Sequence, residues 1–446
     1  MELHDTAMVN SLAFRCIRKR LHESWVNSSL RQLNRQLHIC CPLVGADHGQ
    51  IGLSLKPAAE GGSTRPNSHS LPMKKLLLFL LLLQLSLDGT VAQGRKAKSG
   101  KTAPGTVWSV AKANDWYRKH AWMTGTNFIP STAINQLEMW QATTFDPQTI
   151  DRELGWAESI GFNTMRVFLH HLAWEQDPQG FKQRMDEYLR IADRHHIQTM
   201  FVFFDDCWNK EAKIGPQPVP KIGVHNSGWL QDPGEPVSHD SIKFMGLEKY
   251  VTDVMTQFKH DKRVLLWDLY NEPGNSNKKE SSLPLLRNVF RWARAVNPDQ
   301  PISVGLWAWD FQYLNAFQAA NSDIITYHNY EDMVTHQRMI DLLRLTGRPL
   351  ICTEYMARLR NSRFATIMPL LKKENVGAIN WGLVDGKTNT KYAWETPIAD
   401  GSEPAEWFHE VFRKDGTPYR QDETELIKRL NSTPVVPKPL LKSVGL

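Results

Sequence analysis

Cysteine is scarce in this chain, with five in 446 residues, too few for a disulfide scaffold. Three of them, Cys16, Cys40 and Cys41, lie before residue 72. Cys207 and Cys352 fall on different predicted strands and read as two ordinary thiols. Long apolar runs are also missing. The longest, LLLFLLLLQLSL from Leu76 to Leu87, is shorter than the roughly 20 residues a membrane-spanning helix needs. Nor is there charge of one sign. Residues 1–92 hold +4 of the net +6, so the rest is close to neutral and lacks the basic excess that nucleic-acid binding requires. The chain has no internal repeat, no P-loop, no Gly-x-Ser-x-Gly elbow and no His-Glu-x-x-His, which removes the common signatures of phosphate binding, serine hydrolysis and zinc hydrolysis.

What is present starts with a targeting pattern. Met73-Lys74-Lys75 precedes the apolar run, and small residues at Thr90 and Ala92 follow it, which reads as a signal peptide over residues 73–92. The expected product is secreted or periplasmic, a monomer without stable membrane insertion after cleavage. Residues 1–72 show no sustained periodicity and read as unstructured: either an upstream start assignment or, if translated, the inner side of a signal anchor. A Lys-, Gly- and Ser-rich linker covers 93–104, the organised body 105–430, and a Pro-rich tail 431–446. Asn431-Ser432-Thr433 in that tail matches a glycosylation acceptor.

Within the body, short apolar runs alternate with helical patterns, the rhythm of a parallel sheet. Eight such runs occur: TGTNFIP near Gly125, FNTMRVFLH from Phe162, IQTMFVFFD from Ile197, VLLWDLYNEP from Val264, PISVGLW from Pro301, DIITYHNY from Asp323, PLICTEYM from Pro349 and AINWGLV from Ala378. Asp146 and Pro147 open one intervening helix and Gly161 closes it. Eight strand-helix units predict a (β/α)8 TIM barrel, and an open doubly wound sheet is disfavoured by the lack of a Gly-rich phosphate turn after the first strand.

Barrel enzymes carry their chemistry at the C-terminal ends of the strands, and here those ends are polar. They hold Arg166, His170 and His171 on the second, Asp205 and Asp206 on the third, Asn271 and Glu272 on the fourth, His328 and Tyr330 on the sixth, Glu354 on the seventh and Trp381 on the eighth. Polar groups inside apolar strands are costly unless paired, so six strands ending this way mark a site. Two glutamates on opposite sides of a barrel mouth suit cleavage of a glycosidic bond, which needs one protonated and one ionised carboxyl group. Asn271 beside Glu272 binds a sugar hydroxyl without adding charge. Arg166 and Tyr330 donate to a neighbouring carboxylate and are expected to keep Glu354 ionised at neutral pH.

The string Trp267-Asp268-Leu269-Tyr270-Asn271-Glu272-Pro273, with Ile351-Cys352-Thr353-Glu354-Tyr355 after it, resembles the clan A glycoside hydrolases, especially the cellulase-like family five. The resemblance runs from about Trp108 to Phe412. It implies a retaining double displacement with Glu272 as acid/base and Glu354 as nucleophile. It also implies supporting roles for Arg166, Asn271, His328 and Tyr330, and a sugar-floor role for Trp381. The chain is similar as well to secreted bacterial proteins described as cellulase-like or xylanase-like. It departs from the family at Asp205-Asp206-Cys207-Trp208, where a histidine is common.

The implied partner is an oligosaccharide or polysaccharide, with no nucleic acid and no cofactor. His170, His171, Asp205 and Asp206 read as sugar-hydroxyl contacts, since their spacing matches no metal-ligand motif and this hydrolysis needs no metal. Sixteen tryptophans serve both core and sugar stacking, and Trp381, Trp208, Trp229 and Trp307 are the expected platforms. The stretch from Trp208 to Ser241 is long and aperiodic, an insert expected to wall one end of the cleft. No separate carbohydrate-binding module is recognisable. Two alternatives stay open: a transglycosylase on the same scaffold, and a barrel that binds glycans without turnover. N-terminal sequencing of the exported protein is expected to give a start near Gln93; a start elsewhere would remove the cleavage site assigned after Ala92.

Overall fold

The computed structural model describes residues 105–235, 240 and 242–435. Segments 1–72, 73–92 and 93–104, residues 436–446 of the tail, and Cys16, Cys40 and Cys41 lie outside the described residues. All eight predicted runs form strands: β1 Thr124–Asn127, β2 Thr164–Phe168, β3 Gln198–Asp205, β4 Val264–Asn271, β5 Ile302–Ser303, β6 Ile325–His328, β7 Leu350–Glu354 and β8 Gly377–Trp381. The longest, β3 and β4, are mostly apolar along their length because both faces are buried, as parallel sheets require. Every pairing is parallel, in the order β5-β4-β3-β2-β1-β8-β7-β6. The barrel closes between β5 and β6 through a single bridge, Leu306 to Tyr327, in which the Leu306 amide donates to Thr326 and the His328 amide to Leu306. Here the sequence pattern overreaches: of PISVGLW only Ile302–Ser303 is regular strand.

The helix α1 (Val110–Arg118) precedes the first strand. Each strand is then followed by a helix: α2 Pro147–Ser159, α3 Pro178–Arg194, α4 Phe244–Phe258, α5 Leu283–Val296, α6 Gln312–Asn321, α7 Met333–Leu343, α8 Phe364–Lys373 and α9 Gln421–Asn431. Local chemistry sets their ends. Asp146 caps α2 by accepting from the Thr149 amide, with Pro147 in the first turn, and Gly161 adopts φ +80° just after it. Tyr117 of α1 clusters with Met123, Met200, Leu266, Ile351 and Ile379, plugging the N-terminal end of the barrel. Cys207 and Cys352 are both buried free thiols. The Asn431 amide is tied down, donating to the Ile160 carbonyl and accepting from Thr124. Among the described residues no helix is long and apolar enough to cross a membrane.

Gly125 and Gly246 give contrasting tests. A Cβ at Gly125 would sit 1.5 Å from the Thr164 carbonyl oxygen, whereas one at Gly246 in α4 meets nothing within 4 Å. Gly125→Ala is expected to destabilise by more than about 3 kcal/mol, the upper end of overpacking costs. Gly246→Ala is expected to stabilise by about 0.5–1 kcal/mol through helix propensity. Urea titrations of both variants measure this.

Candidate active site

The C-terminal mouth of the barrel opens into a cleft of about 670 Å³, within the size range of small-ligand sites. Its walls include Glu272, Glu354, Asn271, His328, Tyr330 and Trp381, together with Trp208, Trp229 and Trp307. One oxygen of each glutamate and one ring nitrogen of His328 lie within 4.8 Å of one another.

Arg166 organises this mouth from below. It is fully buried on β2, and its guanidinium donates to Asp268 at 2.8 Å, Asn127 at 2.8 Å, Glu354 at 2.9 Å and Asn271 at 2.7 Å. Those partners stand on β4, β1, β7 and β4 respectively. Burial opposes its charge, yet Asp268 and Glu354 hold its pKa above the ordinary value. The family-like string therefore contains a residue that sequence reading left unassigned: Asp268 is the counter-ion that keeps a guanidinium inside the barrel. Asn127 was equally invisible, because an Asn ending a strand looks like a turn residue. Its amide also donates to the Thr353 and Asn380 carbonyls.

The two glutamates have different surroundings. Glu354 ends β7 and is set beside His328 by a register shift between Tyr327 and His328, which pairs His328 with Glu354, the kind of irregularity that re-aims a side chain. Its Oε1 takes the Arg166 bond and its Oε2 accepts from Tyr330 at 2.9 Å. Glu272 follows β4 with φ +45°, a left-handed conformation that costs a non-glycine residue about 1 kcal/mol or more. The turn carries its side chain to His328 Nδ1 at 2.8 Å, while its Oε2 accepts from Asn275 at 2.5 Å and from the Cys207 thiol at 3.3 Å. Among the described residues no Lys or Arg side chain contacts it. Burial raises Glu272 above the ordinary carboxylate range despite Asn275 and Cys207.

The charge state of Glu354 differs from the sequence expectation. Burial, with the Glu272 charge added, pushes it up to about 7, against the pull of His328, Arg166 and Tyr330. Arg166 pulls it down without offsetting the burial. Burial also holds His328 down to about 4.

Four residues expected to touch sugar hydroxyls lie beneath the cleft instead. Asp205 accepts from Asn271, the Trp229 indole and the Cys207 amide. Asp206 accepts from Tyr270, Gly274, Ser282 and Lys278. Their oxygens are spent on protein donors: Asp206 supports the loop after β4, and Asp205 ties the end of β4 to the insert after β3. His171 binds Asp232 through its ring and its amide. His170 is fully buried beside it, and burial pushes its pKa down to about 4. His170, His171 and Asp232 form one grouping with metal-ligating geometry, and Glu272, His328 and Glu354 the other, among the described residues. In the first, His170 Nδ1 already accepts the Leu172 amide and the Asp232 carboxylate is held by the His171 ring and amide, the arrangement of a buried hydrogen-bonded pair.

The platform tryptophans divide. Trp381 lies edge-on to Phe168 and Trp229. Trp229 is almost fully buried, Trp208 is 42% exposed, and Trp307 is partly buried. Sequence reading missed Cys207, Asn275, His225, Asn226, Arg360 and Trp394, all on the cleft wall. The signals were there in Val224-His225-Asn226-Ser227-Gly228-Trp229 inside the insert and in Trp394 within a stretch read only as a connecting loop.

A family model described as Cellulase (glycosyl hydrolase family 5) matches residues 156–387, just over half of the chain. Among solved structures, GH5_18 from Streptomyces cattleya in complex with GlcNAc superposes with a TM-score of 0.51 at 14% identity, over 72% of this chain and 83% of that one. The exo-β-1,4-mannosidase Op5Man5 from Opitutaceae bacterium strain TAV5 gives a TM-score of 0.51 at 16% identity, over 74% of this chain and 62% of that one. At such identities the likeness is one of fold. A search of curated proteins gave no match.

Arg166→Met is expected to destabilise by about 3–5 kcal/mol, because it strands the buried Asp268 charge. Adding Asp268→Leu is expected to recover part of that loss. Chemical denaturation of the single and double variants tests both; a single variant as stable as the parent would mean that the guanidinium does not hold the barrel mouth together.

Proposed function

The chain belongs to glycosyl hydrolase family 5 and hydrolyses O-glycosidic bonds, and on that premise we propose that it cleaves a β-linked glycan with retention, using Glu354 as nucleophile and Glu272 as acid/base. The observation that carries the reading is the facing of two unlike carboxyl groups, each with one oxygen within 4.8 Å of the other's. Retaining enzymes hold their carboxyl groups about 5–5.5 Å apart, and inverting ones leave about 6.5–9.5 Å for a water.

The partners assign the roles. Glu354 meets the Arg166 guanidinium and the Tyr330 hydroxyl, both of which favour the anion that attacks the anomeric carbon. Among the described residues no Lys or Arg side chain contacts Glu272, whose partners are His328, Asn275 and Cys207, so no fixed positive charge in contact opposes the proton the leaving oxygen needs. In the first step Glu354 displaces the leaving group while Glu272 protonates it, giving a covalent glycosyl-enzyme. In the second, Glu272 takes a proton from water as the water attacks the same carbon and Glu354 departs. Trp381 offers the apolar face under the sugar ring.

The pH dependence follows from the raised pair. The active form has Glu354 ionised and Glu272 protonated. As pH falls through about 7 Glu354 takes up a proton and activity is lost. A kcat/KM profile with its acid limb near neutrality is expected, and an acid limb at the ordinary carboxylate value of 4.5 would contradict this account of Glu354.

Sugar release from β-glucans, mannans, xylans and their oligosaccharides tests the assignment, with Glu272→Gln and Glu354→Gln alongside. Both variants are expected to lose at least about a hundredfold in kcat, the lower range for removing an acid/base group, and NMR of the first-formed sugar is expected to show the β anomer. An α anomer at that stage would exclude Glu354 as nucleophile.

A further inference from the structure

The insert after β3 does more than border the cleft. Its ends are zipped together, with Asp205 and Asp232 exchanging both backbone hydrogen bonds and Asn209 joined to Trp229 and Gln231. Its middle is fastened to the loop after β8: the Asn226 amide donates to Thr388 at 2.8 Å, the His225 ring to the Tyr392 carbonyl at 2.8 Å, and the Ile398 amide to Gly223 at 3.1 Å. Gly223 is at φ +65°, and a Cβ there would lie 1.8 Å from the Ile398 carbonyl oxygen, so this close approach requires glycine. On the other side Asn135 holds the Gly228 carbonyl at 2.9 Å. β1 and β2 lie between β3 and β8 in the sheet, so the joined loops bridge that part of the mouth, and no residue between 105 and 206 lines the cleft.

A ring of aromatic contacts continues the wall. Trp208 packs on His225 with centroids 5.5 Å apart, His225 on Trp394 at 6.3 Å, and Trp394 on Tyr330 at 4.9 Å. The rim is thus closed from the loop after β3, through that after β8, to that after β6. The β4 side differs: beside Glu272 it carries the exposed Ser276 and Asn277. Asn226 lines the closed side, is only 2% exposed, and its side-chain oxygen has no hydrogen-bond partner among the described residues. A buried polar atom without a partner is costly, and a sugar hydroxyl supplies the missing donor.

We propose that the cleft is a dead-end pocket for the non-reducing end of a glycan, so that the enzyme removes terminal units, with Asn226 recognising a hydroxyl of the terminal sugar. This rests on the glycosidase reading above. The leaving group must exit past the proton donor, which lies on the open β4 side. The ring whose anomeric carbon meets Glu354 then has its non-reducing side against the wall, where a further sugar has no path.

The test uses 4-nitrophenyl β-D-glucoside, β-D-mannoside and β-D-xyloside with the matching β-1,4-linked hexaoses labelled at the reducing end, followed in time by mass spectrometry. Expected is hydrolysis of one aryl glycoside and stepwise shortening of its labelled hexaose from the far end, with pentaose appearing before tetraose. Asn226→Ala is expected to raise KM on that glycoside about tenfold with kcat changed less than threefold, whereas general disruption would lower kcat and the melting temperature together. Gly223→Val, which forces the insert away from Ile398, is expected to introduce internal cuts, with its melting curve recorded alongside. Labelled trimers as first products of the parent protein would overturn the dead-end pocket and leave the glycosidase reading intact. Failure to hydrolyse any of the substrates would overturn both.

Discussion

Everything at the mouth of this barrel depends on one buried cation. Arg166 reaches from β2 to side chains on β1, β4 and β7, so a single guanidinium fixes the relative heights of four strands. Its fork geometry suits this, since a lysine ammonium could not present directed donors to four oxygens at once. The arrangement is costly in isolation, because a buried charge must be matched in full. Asp268 supplies that match deep in the barrel, which leaves the upper face of the guanidinium to orient Glu354 and Asn271.

From that anchor the site is built in layers. Asn271, held by Arg166, donates to Asp205, and Asp205 in turn holds the Trp229 indole. Asp206 gathers Tyr270, Gly274, Ser282 and Lys278 and so shapes the loop that carries Asn275 to Glu272. The left-handed backbone at Glu272 is tolerated because this loop is fastened on both sides. Local strain at a reacting position, offset by a rigid surround, is a common feature of working sites.

The polar residues at the strand ends were legible as a group because sequence alternation fixes which residues end each strand. Their individual duties were not. Asp205, Asp206, His170 and His171 look from the sequence like residues facing a ligand, yet Asp206 and His171 are committed to partners from distant segments such as Lys278 and Asp232, Asp205 to Asn271 and Trp229, and His170 is buried beside His171. His225, Asn226 and Trp394 were missed for the opposite reason: aperiodic loops carry no pattern to say which side chains face inward.

The sequence by itself determined the eightfold repetition of strand and helix, the position of every strand, and the two glutamates on the fourth and seventh. These follow from local hydrophobic period and from motif strings, in which the informative residues lie within a few positions of each other. Tertiary structure alone decided that Asp268 neutralises Arg166, that Glu354 sits near neutrality, and that the β3 insert is fastened to the loop after β8. Each of these joins residues far apart in the chain, by as many as 188 positions between Arg166 and Glu354. Charge matching and loop closure are set by distance in space, which only the closed barrel brings down to hydrogen-bond length.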